Sequence, residues 1–146
     1  MSDYHISVMP NETIDALCVK PDRLYFDGTL GGGGHSERIL KLGGRIIATD
    51  RDAEAIDYVL GRFSKNADYN GRYTLVKDNF KNVLQILKDR HITELDGAVF
   101  DLGISSHQID DAGRGFSYMN DAQLDMRMDR DQFLSAMTVV NDYSEE

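Results

Sequence analysis

The sequence predicts an α/β fold, a parallel sheet carrying helices on both faces. Three observations predict it. Short apolar runs alternate with amphipathic segments of helical period through the first hundred residues. The runs are continuous, as in the IIA of 46–48, which is the pattern of strands buried on both sides. Four successive glycines, Gly31 to Gly34, sit where the first such run gives way to a helix-like segment. Strand–helix–strand units of this spacing connect right-handedly in a parallel sheet.

The elements follow in order. Asn11 is a candidate cap for a helix bearing Ile14, Leu17 and Cys18 on one face. RLYFDG at 23–28 is the first strand, ending in an acid and a glycine. GHSERILKLGG at 34–44 is a helix with Ile39, Leu40 and Leu42, closed by Gly43 and Gly44. RIIATD at 45–50 is the second strand. Asp52 then caps a helix whose stripe is Ala55, Ile56, Val59, Leu60 and Phe63. RYTLVK at 72–77 is the third strand, and 80–90 is a helix with Val83, Leu84 and Leu87 inward. GAVFDLGI at 97–104 is the fourth strand. Beyond about residue 105 the alternation stops and no fifth strand is legible. The pairs Leu124 with Met128 and Phe133 with Met137 have the spacing of short packed helices.

At 146 residues the chain has the length of one domain with a real core. A single cysteine, Cys18, excludes an internal disulfide framework and a multi-cysteine zinc site. The N-terminus lacks the basic-then-apolar pattern of a signal peptide, and no apolar run nears the ~20 residues of a membrane helix. The expectation is a cytoplasmic protein without a membrane partner. The net charge of −9 is uneven: residues 1–93 are balanced, whereas 94–146 hold 12 acids and 3 bases. An acidic surface repels nucleic-acid phosphates. The fourth strand, with Ala98, Val99 and Phe100, would lie at an open apolar edge, so self-association is expected.

The glycine block allows three ligand classes. A phosphate-binding P-loop needs lysine where Gly34 stands. The dinucleotide fingerprint G-x-G-x-x-G/A meets Ser36 or Glu37 at its last position, which disfavours a nicotinamide cofactor without excluding it. S-adenosylmethionine carries no phosphate and needs an anion, bare backbone and a carboxylate for its ribose. Asp27 ends the first strand, where it could meet the ammonium. Asp50 ends the second, at the position of a ribose acid. Phe80 follows the third strand and offers an apolar face for adenine. Asp101 ends the fourth. No metal-ligand cluster is legible.

The stretches HISVMPNETIDAL, YFDGTLGGGGHSERIL, ATDRDAEAI, DNFKNV, DGAVFDLGISSHQIDDAGRGFSYMNDAQLDMRMD and LSAMTVVNDYSEE together resemble the bacterial methyltransferases that modify N4 of a cytosine in small-subunit ribosomal RNA. DLGISS, RGFS and LDMRM are the specific part of the likeness. The resemblance implies a Rossmann-like fold dependent on S-adenosylmethionine, incomplete in this chain. Residues 1–110 would be the N-terminal part of the cofactor domain, and 111–146 the start of a helical substrate-recognition insertion. It implies cofactor contacts at Gly33, Gly34, His35, Asp50, Phe80, Asp101 and Gln108. A carboxylate that accepts from the target amine would aid transfer, and Asp101 is the candidate for that catalytic role. The resemblance implies small-subunit ribosomal RNA or a ribosomal particle as partner. His107 and Gln123 stand where the family has proline, which loosens the loops near Gln108. Two alternatives remain: a non-catalytic S-adenosylmethionine-binding or interaction fragment, and a nicotinamide-dependent oxidoreductase.

Overall fold

The computed structural model describes residues 7–144. These divide into two compact units, one within Ile6–Leu102 and one within Gly103–Glu146. No helix among the described residues is long and apolar enough to cross a membrane.

The first unit alternates α1 (Pro10–Leu17), β1 (Leu24–Asp27), α2 (Gly34–Lys41), β2 (Arg45–Asp50), α3 (Ala53–Phe63), β3 (Tyr73–Lys77), α4 (Val83–Lys88) and β4 (Gly97–Val99). The four strands form one parallel sheet in the order β3-β2-β1-β4. This is the α/β architecture the alternation predicts. β1 is central and pairs Phe26 with Ile47 on one side and with Ala98 on the other.

Strand periodicity sorts the core into two layers. Tyr25, Ile46 and Ala48 pack with Ile14, Ile39, Leu40, Val59 and Phe63, beneath α1, α2 and α3. Phe26 and Ile47 face the opposite way and pack with Ile86, Val83 and Leu87 of α4. Each fully buried side chain of this size contributes roughly 1.5–3 kcal/mol. Two short neighbouring strands thus anchor helices on both faces.

Several details depart from the sequence reading. α1 starts on Pro10 after Met9 in the left-handed region (φ 44°), with no side-chain cap, so Asn11 is not the cap. Pro10 suits the first helical position because that turn needs no N–H. Asn11 instead accepts a hydrogen bond from Arg38 at 2.8 Å. Cys18 ends the helix exposed and leaves its apolar face. α2 stops at Lys41, and Leu42 and Leu60 are exposed. Phe80–Asn82 form a turn of 3₁₀ helix before α4. That tighter turn changes the phase, so Ile86 is buried while Leu84 is 80% exposed. β4 ends at Val99 rather than 104.

The second unit is mostly irregular, with α5 (Ser106–Asp110) and α6 (Ala136–Asp142). The expected helix pairs at 124–128 and 133–137 do not form, and Phe133 is 92% exposed. Buried Arg114 is the centre instead, donating to the carbonyls of Arg127 and Met128 at 3.2 and 2.9 Å. Arg127 grips Asp125 through two hydrogen bonds, 2.7 and 2.8 Å, and its guanidinium holds that carboxyl down to about 2. Backbone carbonyls and arginines do here what an apolar stripe does in a helix.

Candidate functional site

The carboxyl end of the sheet carries a loop, residues 28–33, pinned at nearly every peptide. Gly28 donates to the Val99 carbonyl (2.9 Å) and accepts from Thr49 Oγ1 (3.2 Å). Thr29 N–H reaches Asp27 Oδ1 at 3.1 Å, and Leu30 N–H the Thr49 carbonyl at 2.9 Å. Gly31 N–H donates to Asp50 Oδ2 at 2.8 Å. Gly32 accepts from Arg62 Nη1 at 2.6 Å, and Gly33 N–H donates to the Leu30 carbonyl at 2.7 Å.

Two glycines are there for geometric reasons. Gly33 has φ +75°, the left-handed region, and a Cβ on it would press on Val59 at 2.9 Å. A Cβ on Gly34 would collide with the Ser7 hydroxyl, so the chain preceding α1 closes over the start of α2. α2 begins at Gly34 with no side-chain cap, leaving a helix N-terminus against the loop.

The strand-end acids differ in access. Asp27 is 1% exposed, and its oxygens accept from Ser36 Oγ (2.7 Å) and Thr29 N–H (3.1 Å). Burial pushes its carboxyl up to about 6 against those two hydrogen bonds, aided by the charges of Asp50 and Asp101. This corrects the expectation that Asp27 meets a ligand: it is enclosed beneath the loop. Asp50 is part-buried and accepts from Gly31 N–H and, at 2.9 Å, from Asp52 N–H. Burial raises its carboxyl too, opposed by those amides. Asp101 is 30% exposed, and its N–H is held by Thr29 Oγ1 at 2.7 Å. One threonine therefore ties the ends of β1 and β4 together.

His35, buried in the first turn of α2, brings Nε2 to 3.9 Å from Asp101 Oδ2, beyond hydrogen-bond distance. Phe80 is half-buried and meets Phe100 edge to face at 5.5 Å, and Phe100 in turn contacts Phe26 at 5.9 Å. Gly33, Gly34, His35, Asp50, Phe80 and Asp101 all belong to the first unit, at or just beyond the carboxyl ends of its strands. Gln108 belongs to the second, where it is buried and closes a reciprocal capping box with Ser105. Sequence reasoning missed Thr29, Ser36 and Arg62. Each acts through a partner 9 to 72 positions away, and no local pattern marks such pairs.

This sheet order, glycine loop and set of strand-end carboxylates define a Rossmann-like methyltransferase fold. Solved structures share it: the C-terminal domain of precorrin-6Y C5,15-methyltransferase from Rhodobacter capsulatus superposes with TM-score 0.57 at 20% identity, covering 70% of this chain and 55% of that one. An rRNA methylase from Streptococcus thermophilus gives TM-score 0.54 at 22% identity, covering 67% and 57%.

The chain belongs to the MraW methylase family, whose model matches residues 2–146. It is 50% identical to the ribosomal RNA small subunit methyltransferase H of Clostridium botulinum (strain Kyoto / Type A2), over 100% of this chain and 47% of that protein. The protein of the same name from Ureaplasma urealyticum serovar 10 is also 50% identical, over 97% and 46%. The chain thus spans about half the length of the curated relatives it matches.

Proposed function

We propose that this chain carries the S-adenosylmethionine site of an enzyme that methylates N4 of a cytosine in small-subunit ribosomal RNA. The observation that carries the reading is the convergence of Asp50 and Asp101 on a backbone-lined glycine loop, above the buried carboxyl of Asp27. Three carboxylates repel a pyrophosphate and attract a cation. The arginine that reaches the loop, Arg62, is spent on Gly32 and Glu37. The donor set therefore fits a ligand with a sulfonium and an ammonium better than a dinucleotide.

When bound, S-adenosylmethionine supplies an electrophilic methyl group on sulfur. The residues around it divide the work. Remaining lone pairs of Asp50 accept from the ribose hydroxyls, and Phe80 offers its ring to adenine. Gly33, Gly34 and His35 wall the methionine end, where the start of α2 attracts the carboxylate. Asp101 takes one of two roles, the ammonium or the target amine. The cytosine amine is a poor nucleophile because its lone pair is delocalised into the ring. A carboxylate accepting one of its hydrogens localises that pair in the transition state. The base must be unpaired or splayed out to reach such a site. Gln108 is kept as a cofactor contact on the family likeness, and 1–110 and 111–146 as the cofactor portion and the start of a helical insertion. We further propose a cytoplasmic setting and small-subunit RNA or a ribosomal particle as partner.

A second reading is a fragment that binds cofactor without turnover. Titration calorimetry with S-adenosylmethionine and with NAD, beside transfer of labelled methyl to small-subunit RNA or particles, separates the readings. Binding with transfer supports the enzyme, and binding alone the fragment. Binding of NAD in place of S-adenosylmethionine revives the oxidoreductase, and binding of neither ends the cofactor reading.

A further inference from the structure

We propose that Arg62 is a positioning residue, holding the glycine loop in its ligand-accepting shape by clamping the Gly32 carbonyl to α3 and, through Glu37, to α2. The inference rests on the S-adenosylmethionine reading above. Arg62 lies in the last turn of α3, whose neighbouring side chains Val59 and Phe63 already bear on Gly33. Its Nη1 donates to the Gly32 carbonyl at 2.6 Å, and its Nη2 to Glu37 Oε2 at 2.9 Å. The guanidinium also lies over the rings of Tyr58 and Phe63, 5.7 and 5.6 Å from their centroids. A planar guanidinium that donates two hydrogen bonds in a fixed fork beside two aromatic rings suits this geometry, and lysine's ammonium has donors but no planar fork.

The consequence falls on one peptide plane. Gly32 C=O points to Arg62 while the Gly33 N–H of the same peptide points to the Leu30 carbonyl at 2.7 Å. Glycine is the residue whose flanking peptides flip most easily, because both signs of φ are open to it. With the carbonyl clamped, the flip is blocked and Gly33 keeps the φ of +75° from which α2 starts. The start of α2 then faces one fixed direction. On the reading above, that end meets the amino-acid portion of the cofactor and not its nucleoside. Arg62 bonds to the loop and to Glu37, not to Asp50 or Phe80, so on this reading its loss falls on the amino-acid portion and spares the nucleoside.

Selectivity is the test. In the 146-residue chain, Arg62→Ala and Arg62→Lys are titrated calorimetrically with S-adenosylmethionine and with methylthioadenosine, which lacks the amino-acid portion. The expected result is a loss of roughly tenfold or more for S-adenosylmethionine in Arg62→Ala, within the range for hydrogen bonds to charged groups. Methylthioadenosine is expected to change less than about twofold, and Arg62→Lys to fall between the two. Glu37→Gln keeps an oxygen acceptor for Arg62 Nη2 and leaves the Gly32 bond in place, so S-adenosylmethionine affinity stays within about threefold; a loss as large as that of Arg62→Ala overturns the role given to the Gly32 carbonyl. Equal loss for both ligands, or none, overturns the positioning role. If Arg62→Ala does not fold, the lysine variant decides by the same ratio. The unsubstituted chain runs alongside: if it binds no S-adenosylmethionine, the cofactor reading itself has failed.

Discussion

Asp27 is the residue whose chemistry departs furthest from its place in the sequence. A carboxyl ending a strand reads as a ligand group, yet here it is enclosed and raised to about 6 by burial. Between its ordinary value near 3.8 and about 6, the folded chain holds a proton on Asp27 that the unfolded chain has released. Folding stability from this group therefore falls as pH rises through that window, and the full penalty, on the order of 3 kcal/mol, stands above it. Asp27→Asn keeps the acceptor for Thr29 and imitates the protonated acid. It should be more stable than the natural chain at pH 8 by up to that amount, with the difference vanishing near pH 4. Denaturant unfolding across the range measures it, and a difference independent of pH would overturn the assignment. Asp50 poses the opposite problem, since it both holds Gly31 and is proposed to hold ribose. Alanine at this position confounds the two roles. Asp50→Asn should weaken S-adenosylmethionine roughly tenfold, and a dideoxyribose analogue far less, by the usual worth of a charge-assisted hydrogen bond. Equal weakening in calorimetry would leave Asp50 a loop anchor only.

Helix α4 shows how far an element can be read from sequence, and where the reading stops. Its existence follows from the apolar spacing, and its sheet face from the alternation of Phe26 and Ile47. Its phase does not follow, because three residues of 3₁₀ helix at Phe80–Asn82 rotate what comes after. Ile86→Ala should therefore cost about 2–4 kcal/mol, whereas Leu84→Ala should stay within about 0.5 kcal/mol. Unfolding by urea compares them directly, and comparable losses would restore the sequence's phase. β2, in contrast, is legible to the residue at Arg45–Asp50, and so is the Asp52 cap, which accepts from Glu54 N–H at 3.1 Å. Both depend on neighbours within a few positions. The second unit was illegible for the converse reason. Its order comes from Arg114 bonding to carbonyls 13 and 14 positions away, with Arg127 bonding to nearer ones, and methionines at helical spacing carry no such information. The candidate site divides the same way: strand-end acids and glycines announce themselves, while Thr29 and Arg62 act across 72 and 30 positions.

At the scale of the whole chain, the sheet ends in two edge strands, β3 and β4, and the β4 edge has a measurable outcome. β1 and β2 are each paired on both sides, whereas β4 is paired among the described residues only with β1. Its outer edge therefore presents unpaired backbone N–H and C=O groups. Ala98 on that strand is exposed, and beyond it Phe100 and Leu102 are 46% and 70% exposed. Natural edges are blunted by lysine, proline or a bulge, and GAV offers none of these. The net charge of −9 opposes association at long range, yet its excess is screened beyond ~8 Å at physiological salt. Strand pairing at contact distance then decides. The 146-residue chain should associate increasingly with concentration and with added salt in sedimentation velocity. Ala98→Lys, which places a charge on the open edge without touching the glycine loop, should shift it toward monomer while S-adenosylmethionine affinity stays within about twofold. A chain that sediments as monomer at high concentration and high salt would remove the edge from consideration. If instead Ala98→Lys associates as strongly as the natural chain, the contact lies elsewhere, and the exposed side chains of Phe100 and Leu102 become the surface to substitute next.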